Sequence, residues 1–83
     1  MVYVISAEYA EEFKVDVVFN DGTKTWIDLR ATMENDSRLI VRSLLDMTLF
    51  SRVSIEMDTL VWPNGFDLAP EYLYDLARVR RTA

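Results

Sequence analysis

The run Trp62-Pro63-Asn64-Gly65-Phe66-Asp67 gathers an indole, an amide, a carboxylate and a glycine within six residues. Such a set can build a binding site. Trp62 would supply an aromatic wall, Asn64 and Asp67 polar contacts, and Gly65 room for close backbone approach. The same residues also suit a plain turn, with Trp62 and Leu68 anchoring a core, Asn64 and Gly65 meeting the backbone's needs, and Asp67 capping nearby N–H groups. The carboxylates Glu56, Asp58 and Asp67 form a second candidate, read as lying around one end of a hairpin. Oxygens of this kind hold Mg²⁺ or Ca²⁺, or make a carboxylate pair. No Asp-x-Asp-x-Asp-Gly loop is present, and the competing reading is a solvated acidic edge that discourages strand-to-strand association. Tyr9, Trp26, Tyr72 and Tyr74 could stack bases, but no basic groove surrounds them in the sequence. A spacing of two places Tyr72 and Tyr74 on different helix faces, so core and rim packing competes with stacking. Arg78, Arg80 and Arg81 are the one basic cluster, serving either as a tail for an acidic partner or as favourable charge at a helix C-terminus.

What is missing narrows the chemistry further. The 83 residues contain no cysteine and no histidine. A disulfide framework, a Cys/His zinc site and a Ser-His-Asp or Cys-His arrangement are therefore excluded. The two glycines, Gly22 and Gly65, each sit in a turn signal, so nothing resembles a phosphate loop. No catalytic residue, metal ligand or cofactor is assigned. Fourteen acidic against nine basic side chains give a net charge of −5. That is the wrong sign for displacing counterions from nucleic acid or for binding an anionic membrane. The charge is also uneven: residues 1–77 carry a net −8, and the last six residues carry three arginines and no acid. No apolar run approaches the ~20 residues of a spanning helix, and the opening Met1-Val2-Tyr3-Val4-Ile5 lacks the basic n-region of a signal peptide. A cytoplasmic location is the expectation.

The elements that must position these residues read as one α+β domain over 1–83, with a small antiparallel sheet of about five strands and one to three short helices. Tyr3 to Ala7 is a first strand, broken by the polar run Glu8 to Glu12. Phe13, Val15, Val17 and Phe19 alternate onto one face of a second strand. A two-residue Asp21-Gly22 turn would set Phe19 against Lys24 and Val15 against Asp28. A three-residue loop of Asn20, Asp21 and Gly22 instead pairs Phe19 with Thr23, Val17 with Thr25, Val15 with Ile27 and Phe13 with Leu29. It also sets Lys14 opposite Asp28. The three-residue loop is the reading adopted, with Gly22 in the left-handed position. Further on, Asp36-Ser37 is a candidate N-cap pair for a helix carrying Ile40, Leu44, Leu45 and Leu49, and Asp46 caps a short helix from Met47 to Ser51. Val53, Ile55 and Met57 alternate as a strand, with a turn at Asp58-Thr59 leading to Leu60-Val61-Trp62. Pro70 opens a closing helix from Glu71 to about Arg78, with Leu73, Leu76 and Ala77 buried.

At Leu60-Val61-Trp62-Pro63-Asn64-Gly65-Phe66-Asp67-Leu68 the chain resembles the domain-of-unknown-function family 2442, a group of small bacterial proteins. The Asn20-Asp21-Gly22 hairpin, Asp28-Leu29, Leu44, Asp46, Leu49-Phe50, Val53, Pro70 and Leu73-Tyr74 fit the same pattern, over about residues 2–76. Ser43 and Met47 stand where the family usually has prolines, which permits a continuous helix from Ser37. Ala69 stands where it often has an acidic residue before the closing proline, and Asp67 is the substitute cap. The resemblance implies a compact α+β domain, found alone or fused to a helix-turn-helix segment, with no established enzymatic activity and no catalytic residues to carry over.

Three functions are then weighed. The first is a non-enzymatic protein-interaction or regulatory module, antitoxin-like in setting, with a protein partner and a homodimer both expected. A hydrophobic content of 51% in so small a domain leaves apolar surface exposed. The second is a nucleic-acid-associated regulator, by analogy with the fused relatives. The third is a carboxylate or metal-dependent hydrolase built on Glu56, Asp58 and Asp67.

Overall fold

A computed structural model of the chain describes residues 1–82, with side chains through Arg78. Three antiparallel strands, β1 (Val4–Glu11), β2 (Lys14–Phe19) and β3 (Lys24–Asp28), form a sheet in that order. The β2–β3 register is the one that the hydrophobic pattern demands: Lys14 faces Asp28, Val15 faces Ile27 and Val17 faces Thr25. At the turn, the Phe19 amide donates to the Thr23 carbonyl at 2.9 Å, and Gly22 adopts φ +91°. Phe13, Val15, Val17 and Phe19 are all buried, since a period of two puts them on one face.

β1 corrects the sequence reading. The polar run Glu8 to Glu12 does not interrupt the strand, which runs on to Glu11. Ala7 and Tyr9 are half-buried while Ser6, Glu8 and Ala10 are exposed, so the acids occupy the solvent face of a continuous strand. The chain turns instead at Glu12-Phe13, with Glu12 at φ 50°.

Four α-helices follow: α1 (Arg30–Glu34), α2 (Leu39–Arg42), α3 (Met47–Phe50) and α4 (Pro70–Thr82), with a 3₁₀ turn at Ser43–Leu45. This exceeds the one to three expected. α1 was not foreseen. The Asp28 carboxylate accepts the Arg30 amide at 3.0 Å to open it, and Leu29 and Met33, one turn apart, are fully buried. The continuous helix from Ser37 does not form. Asp36 takes the Arg38 amide in a local turn rather than capping a helix, and Arg38 is extended. The Ile40 carbonyl accepts from the Ser43 hydroxyl and the Asn64 amide, and α2 tightens into the 3₁₀ turn. Asp46 caps α3 as expected, accepting the Thr48 amide at 3.0 Å.

β4 (Ser54–Glu56) and β5 (Thr59–Val61) form their own two-stranded sheet. The expected five strands therefore fall into two sheets, and the β4–β5 hairpin meets β1 through its turn, where the Val4 amide donates to the Asp58 carbonyl at 2.9 Å. The β4–β5 turn is Met57-Asp58, not Asp58-Thr59. Both residues have positive φ, 51° and 68°, as a two-residue hairpin requires. Met57 thus leaves the Val53–Ile55 face and is 93% exposed. α4 begins at Pro70 and buries Leu73 and Ala77, with Leu76 half-buried. One cluster collects the buried side chains of both sheets and all four helices.

Candidate functional site

The Trp62–Phe66 segment is a three-residue hairpin loop. The Trp62 amide donates to the Phe66 carbonyl, the Gly65 amide donates to the Trp62 carbonyl, both at 2.9 Å, and Gly65 adopts φ +92°. A Cβ at Gly65 would meet nothing within 4 Å, so the glycine serves the backbone angle rather than close approach. Trp62 is not an open aromatic wall. It is 2% exposed, tilted against Phe50 and Phe66, and its Nε1–H donates to the Phe50 carbonyl at 3.0 Å. That bond satisfies the one polar atom of a buried indole.

Asn64 joins this loop to the helical segment. Its Oδ1 accepts the Phe66 amide at 3.0 Å, while its Nδ2 donates to the Ile40 carbonyl at 2.9 Å and the Ser43 hydroxyl at 3.0 Å. Arg42 donates to the Glu34 carbonyl at 3.2 Å, so α2 is held from both sides. The clamped turn carries two apolar side chains outward: Leu39 is 86% exposed and Ile40 38%. Ile40 entered the sequence reading as a helix position and Ser43 as a departure from the family's prolines. Their partnership with Asn64 spans more than twenty residues and left no local signal.

Beside α2 lies a cleft of about 430 Å³, bordered by α1, α4 and the chain after Phe66. Leu68 and Leu76 give it apolar walls, and Asp28, Asp36, Arg38 and Tyr72 give it a polar rim. The Tyr72 and Thr32 hydroxyls meet at 2.6 Å across the rim. Arg38 forks onto Asp36 through Nε and one terminal nitrogen, the latter at 2.7 Å, and its guanidinium lies 5.5 Å from the Phe66 ring centre. The hydrogen bonds and charge of Arg38 hold the Asp36 carboxyl at about 2, below its ordinary 3.8, and Asp36 in turn raises Arg38. Both groups stay ionised at neutral pH.

The other sequence candidates are dispersed. Glu56 and Asp58 flank the Met57 turn, whereas Asp67 bridges to Val61 at the far end of β5, so the three carboxylates do not share one end of the hairpin. Among the described residues no group of three or more Asp or Glu side chains is placed to hold a metal ion. Asp67 is exposed and engages the sheet through its backbone, while Ala69 accepts the Leu73 amide at the start of α4. The four aromatics also part. Tyr9 packs edge-on to Phe50, Trp26 lies on the outer sheet face with the Lys14 ammonium 5.3 Å from its ring centre, and Tyr74 donates to Asp21 at 2.6 Å while its ring meets Phe19. Tyr72 points the other way, to Thr32. Arg78 pairs with Asp75 one turn back at 3.6 Å; the side chains of Arg80 and Arg81 lie outside the described residues. No helix among the described residues is long and apolar enough to cross a membrane.

Comparison with known proteins adds the family. No curated protein and no solved structure matches the chain. A family model described as "Protein of unknown function (DUF2442)" matches residues 4–79, nearly the whole length and all of the elements that hold the Trp62 loop, α2 and the cleft. The chain therefore belongs to the DUF2442 family.

Proposed function

We propose that this domain is a non-enzymatic protein-interaction module, regulatory and antitoxin-like in setting, whose contact surface is centred on the clamped first turn of α2. The observation that carries this reading is Leu39. It stands 86% exposed on a turn whose Ile40 carbonyl is held by Asn64 and Ser43 and whose Arg42 side chain reaches the Glu34 carbonyl of α1. A hydrogen-bonded turn leaves little backbone to order when a partner covers it, and burying a leucine contributes about 1.5–3 kcal/mol. The ion-paired, stacked Arg38 borders the same turn and suits a polar rim. The resemblance to this family, which implies relatives fused to helix-turn-helix segments, motivates the regulatory setting, and the net −8 of residues 1–77 favours a protein over a nucleic acid as the direct partner.

The test compares tagged wild-type protein with the Leu39→Asp variant in affinity capture from the host cell, followed by calorimetric titration of the captured protein. The expected result is a protein bound at least ~10-fold more tightly by wild type, the equivalent of about 1.4 kcal/mol. Equal capture by both forms, or retention of nucleic acid instead, overturns the reading.

A further inference from the structure

We propose that Asn64 is a site of non-enzymatic deamidation, and that its bonds to the α2 region hold the reaction back in the folded chain. Of the three asparagines, Asn20, Asn35 and Asn64, only Asn64 precedes a glycine. A following residue without a side chain leaves its backbone nitrogen open to attack the Asn carboxamide. Water reaches this peptide bond: Asn64 is half-buried, Gly65 is exposed, and a Cβ at Gly65 would meet nothing within 4 Å. Cover does not protect it. The step balances with water as the only co-reactant. The Gly65 amide gives its proton to a solvent base, and its nitrogen attacks the Asn64 Cγ. The new N–Cγ bond closes a succinimide as the Cγ–Nδ2 bond breaks, and Nδ2 takes up a proton and leaves as ammonia. Water then opens the ring at either carbonyl, leaving an aspartyl or an isoaspartyl group.

Each group in that step is held in the folded loop. The attacking nitrogen has its N–H on the Trp62 carbonyl at 2.9 Å, a bond that must break before attack. The leaving nitrogen donates to the Ile40 carbonyl at 2.9 Å and to the Ser43 hydroxyl at 3.0 Å. Oδ1 accepts the Phe66 amide at 3.0 Å, which fixes the orientation of Cγ. Trp62 anchors the stem from a buried site, with its indole N–H on the Phe50 carbonyl. Reaction therefore requires the loop to part from α2, a local opening of the kind that hydrogen exchange detects. The product cannot close again in the same way. A carboxylate has no N–H for the Ile40 carbonyl, and an isoaspartyl link adds a carbon to the backbone of a loop closed around Gly65 at φ +92°. Conversion thus releases, irreversibly, the turn that carries Leu39.

Incubation of the full chain in mildly alkaline buffer, with and without urea, tests this, with each asparagine followed by peptide mass mapping. In urea Asn64 is expected to convert ahead of Asn20 and Asn35, and in the folded chain at least ~10-fold more slowly than in urea. Ser43→Ala removes one partner of the leaving nitrogen and is expected to speed folded-state conversion of Asn64 about 3-fold. Asn20 is the internal control, since its Nδ2 is held by the Met1 carbonyl on a separate turn and is expected to keep its wild-type rate. Asn64→Asp stands in for one product. Its Val41 and Arg42 amides, both bonded to the Arg38 carbonyl, are expected to exchange at least ~5-fold faster than in wild type. Equal rates with and without urea, conversion at Asn20 or Asn35 ahead of Asn64 in urea, a Ser43→Ala chain that reacts no faster or speeds Asn20 alike, or unchanged exchange in Asn64→Asp each overturns the inference. These readouts come from the chain alone and do not depend on a partner covering Leu39.

Discussion

Two turns of this protein have the same local construction and different neighbours. Phe19-Asn20-Asp21-Gly22-Thr23 and Trp62-Pro63-Asn64-Gly65-Phe66 are both three-residue loops, with glycine φ of +91° and +92°. In each, backbone amides close the loop at 2.9–3.0 Å, and the side-chain oxygen of the third residue accepts the amide two positions on, Asp21 from Thr23 at 2.9 Å and Asn64 from Phe66 at 3.0 Å. The difference lies in the second polar atom of that residue. Asp21 offers a carboxylate oxygen to the Tyr74 hydroxyl of α4, whereas Asn64 offers an N–H₂ to the Ile40 carbonyl and Ser43 hydroxyl of the α2 region. A donor is needed where helix carbonyls face the loop, and an acceptor where a phenol does. The flanking residue differs in the same spirit. Asn20 continues the backbone pairing to Tyr3, and its side chain accepts the Tyr3 amide, while Pro63 presets its own angle and bonds to no strand. One turn extends a sheet; the other staples a helix.

The largest expected effect separates the two stems. Trp62→Ala and Phe19→Ala each empty a fully buried site and are expected to cost about 3–5 kcal/mol, with Trp62→Ala the greater because the Phe50 carbonyl also loses its donor. Urea unfolding of both variants checks the order; a costlier Phe19→Ala would break it.

Gly22→Ala and Gly65→Ala probe what the turns share. Neither site has an atom within 4 Å of an added Cβ, so the cost is purely the left-handed backbone, about 1–2 kcal/mol at each. Nearly equal shifts in the unfolding midpoint are expected. A gap above about 1 kcal/mol would show that the loops are not equivalent.

Exchanging the third residues isolates the donor–acceptor difference. Asn64→Asp keeps the turn bond to Phe66 but faces the Ile40 carbonyl with a carboxylate, at an expected cost of about 1–2 kcal/mol. Asp21→Asn keeps its turn bond too, and an amide can still meet the Tyr74 hydroxyl, so under about 1 kcal/mol is expected. Matched thermal melts decide it, and equal losses would sink the distinction.

The smallest effect concerns the Asp36–Arg38 pair, which lies over Phe66 beside the second turn. Asp36 has its folded pKa lowered from 3.8 to about 2 by Arg38. A depressed carboxylate contributes stability that is fully present above 3.8 and is lost as pH falls through about 2. Carboxyl NMR should show Asp36 titrating near 2 in wild type and moving up toward 3.8 in Arg38→Ala. An unmoved titration would remove the pair from the loop's surroundings.

Wherever the causes are local, the sequence was readable. Alternation at Phe13, Val15, Val17 and Phe19 fixed a face, and with it the three-residue loop, since a one-residue slip would have set apolar residues against Lys24 and Asp28. Asp46 as a cap, Pro70 as a helix start and Leu73 with Ala77 as a buried line rest on interactions within a few residues. The Trp62 run was legible as a turn, as a core anchor and as the family's mark, and its indole and amide bonds follow the anchoring reading. The acids of β1 read as a break because polarity alone does not tell a loop from the wet face of a strand.

Tertiary structure decided the rest. Asp28 opening α1, with Leu29 and Met33 beneath, was too short a signal to register as a helix. Five strands became two sheets, the second hairpin meeting β1 through the bond from the Val4 amide to the carbonyl of its turn residue Asp58. Met57-Asp58 took left-handed angles, which an aspartate tolerates but a methionine does not announce, in a hairpin joined to Val4. The Ile40 carbonyl turned to side-chain donors, one of them twenty-four residues away, and α2 tightened where sequence periodicity predicted it would run on. Local chemistry determines which bonds a segment can make with itself. A partner distant in the chain decides which of them it keeps, because each carbonyl and each side-chain N–H has few bonds to give.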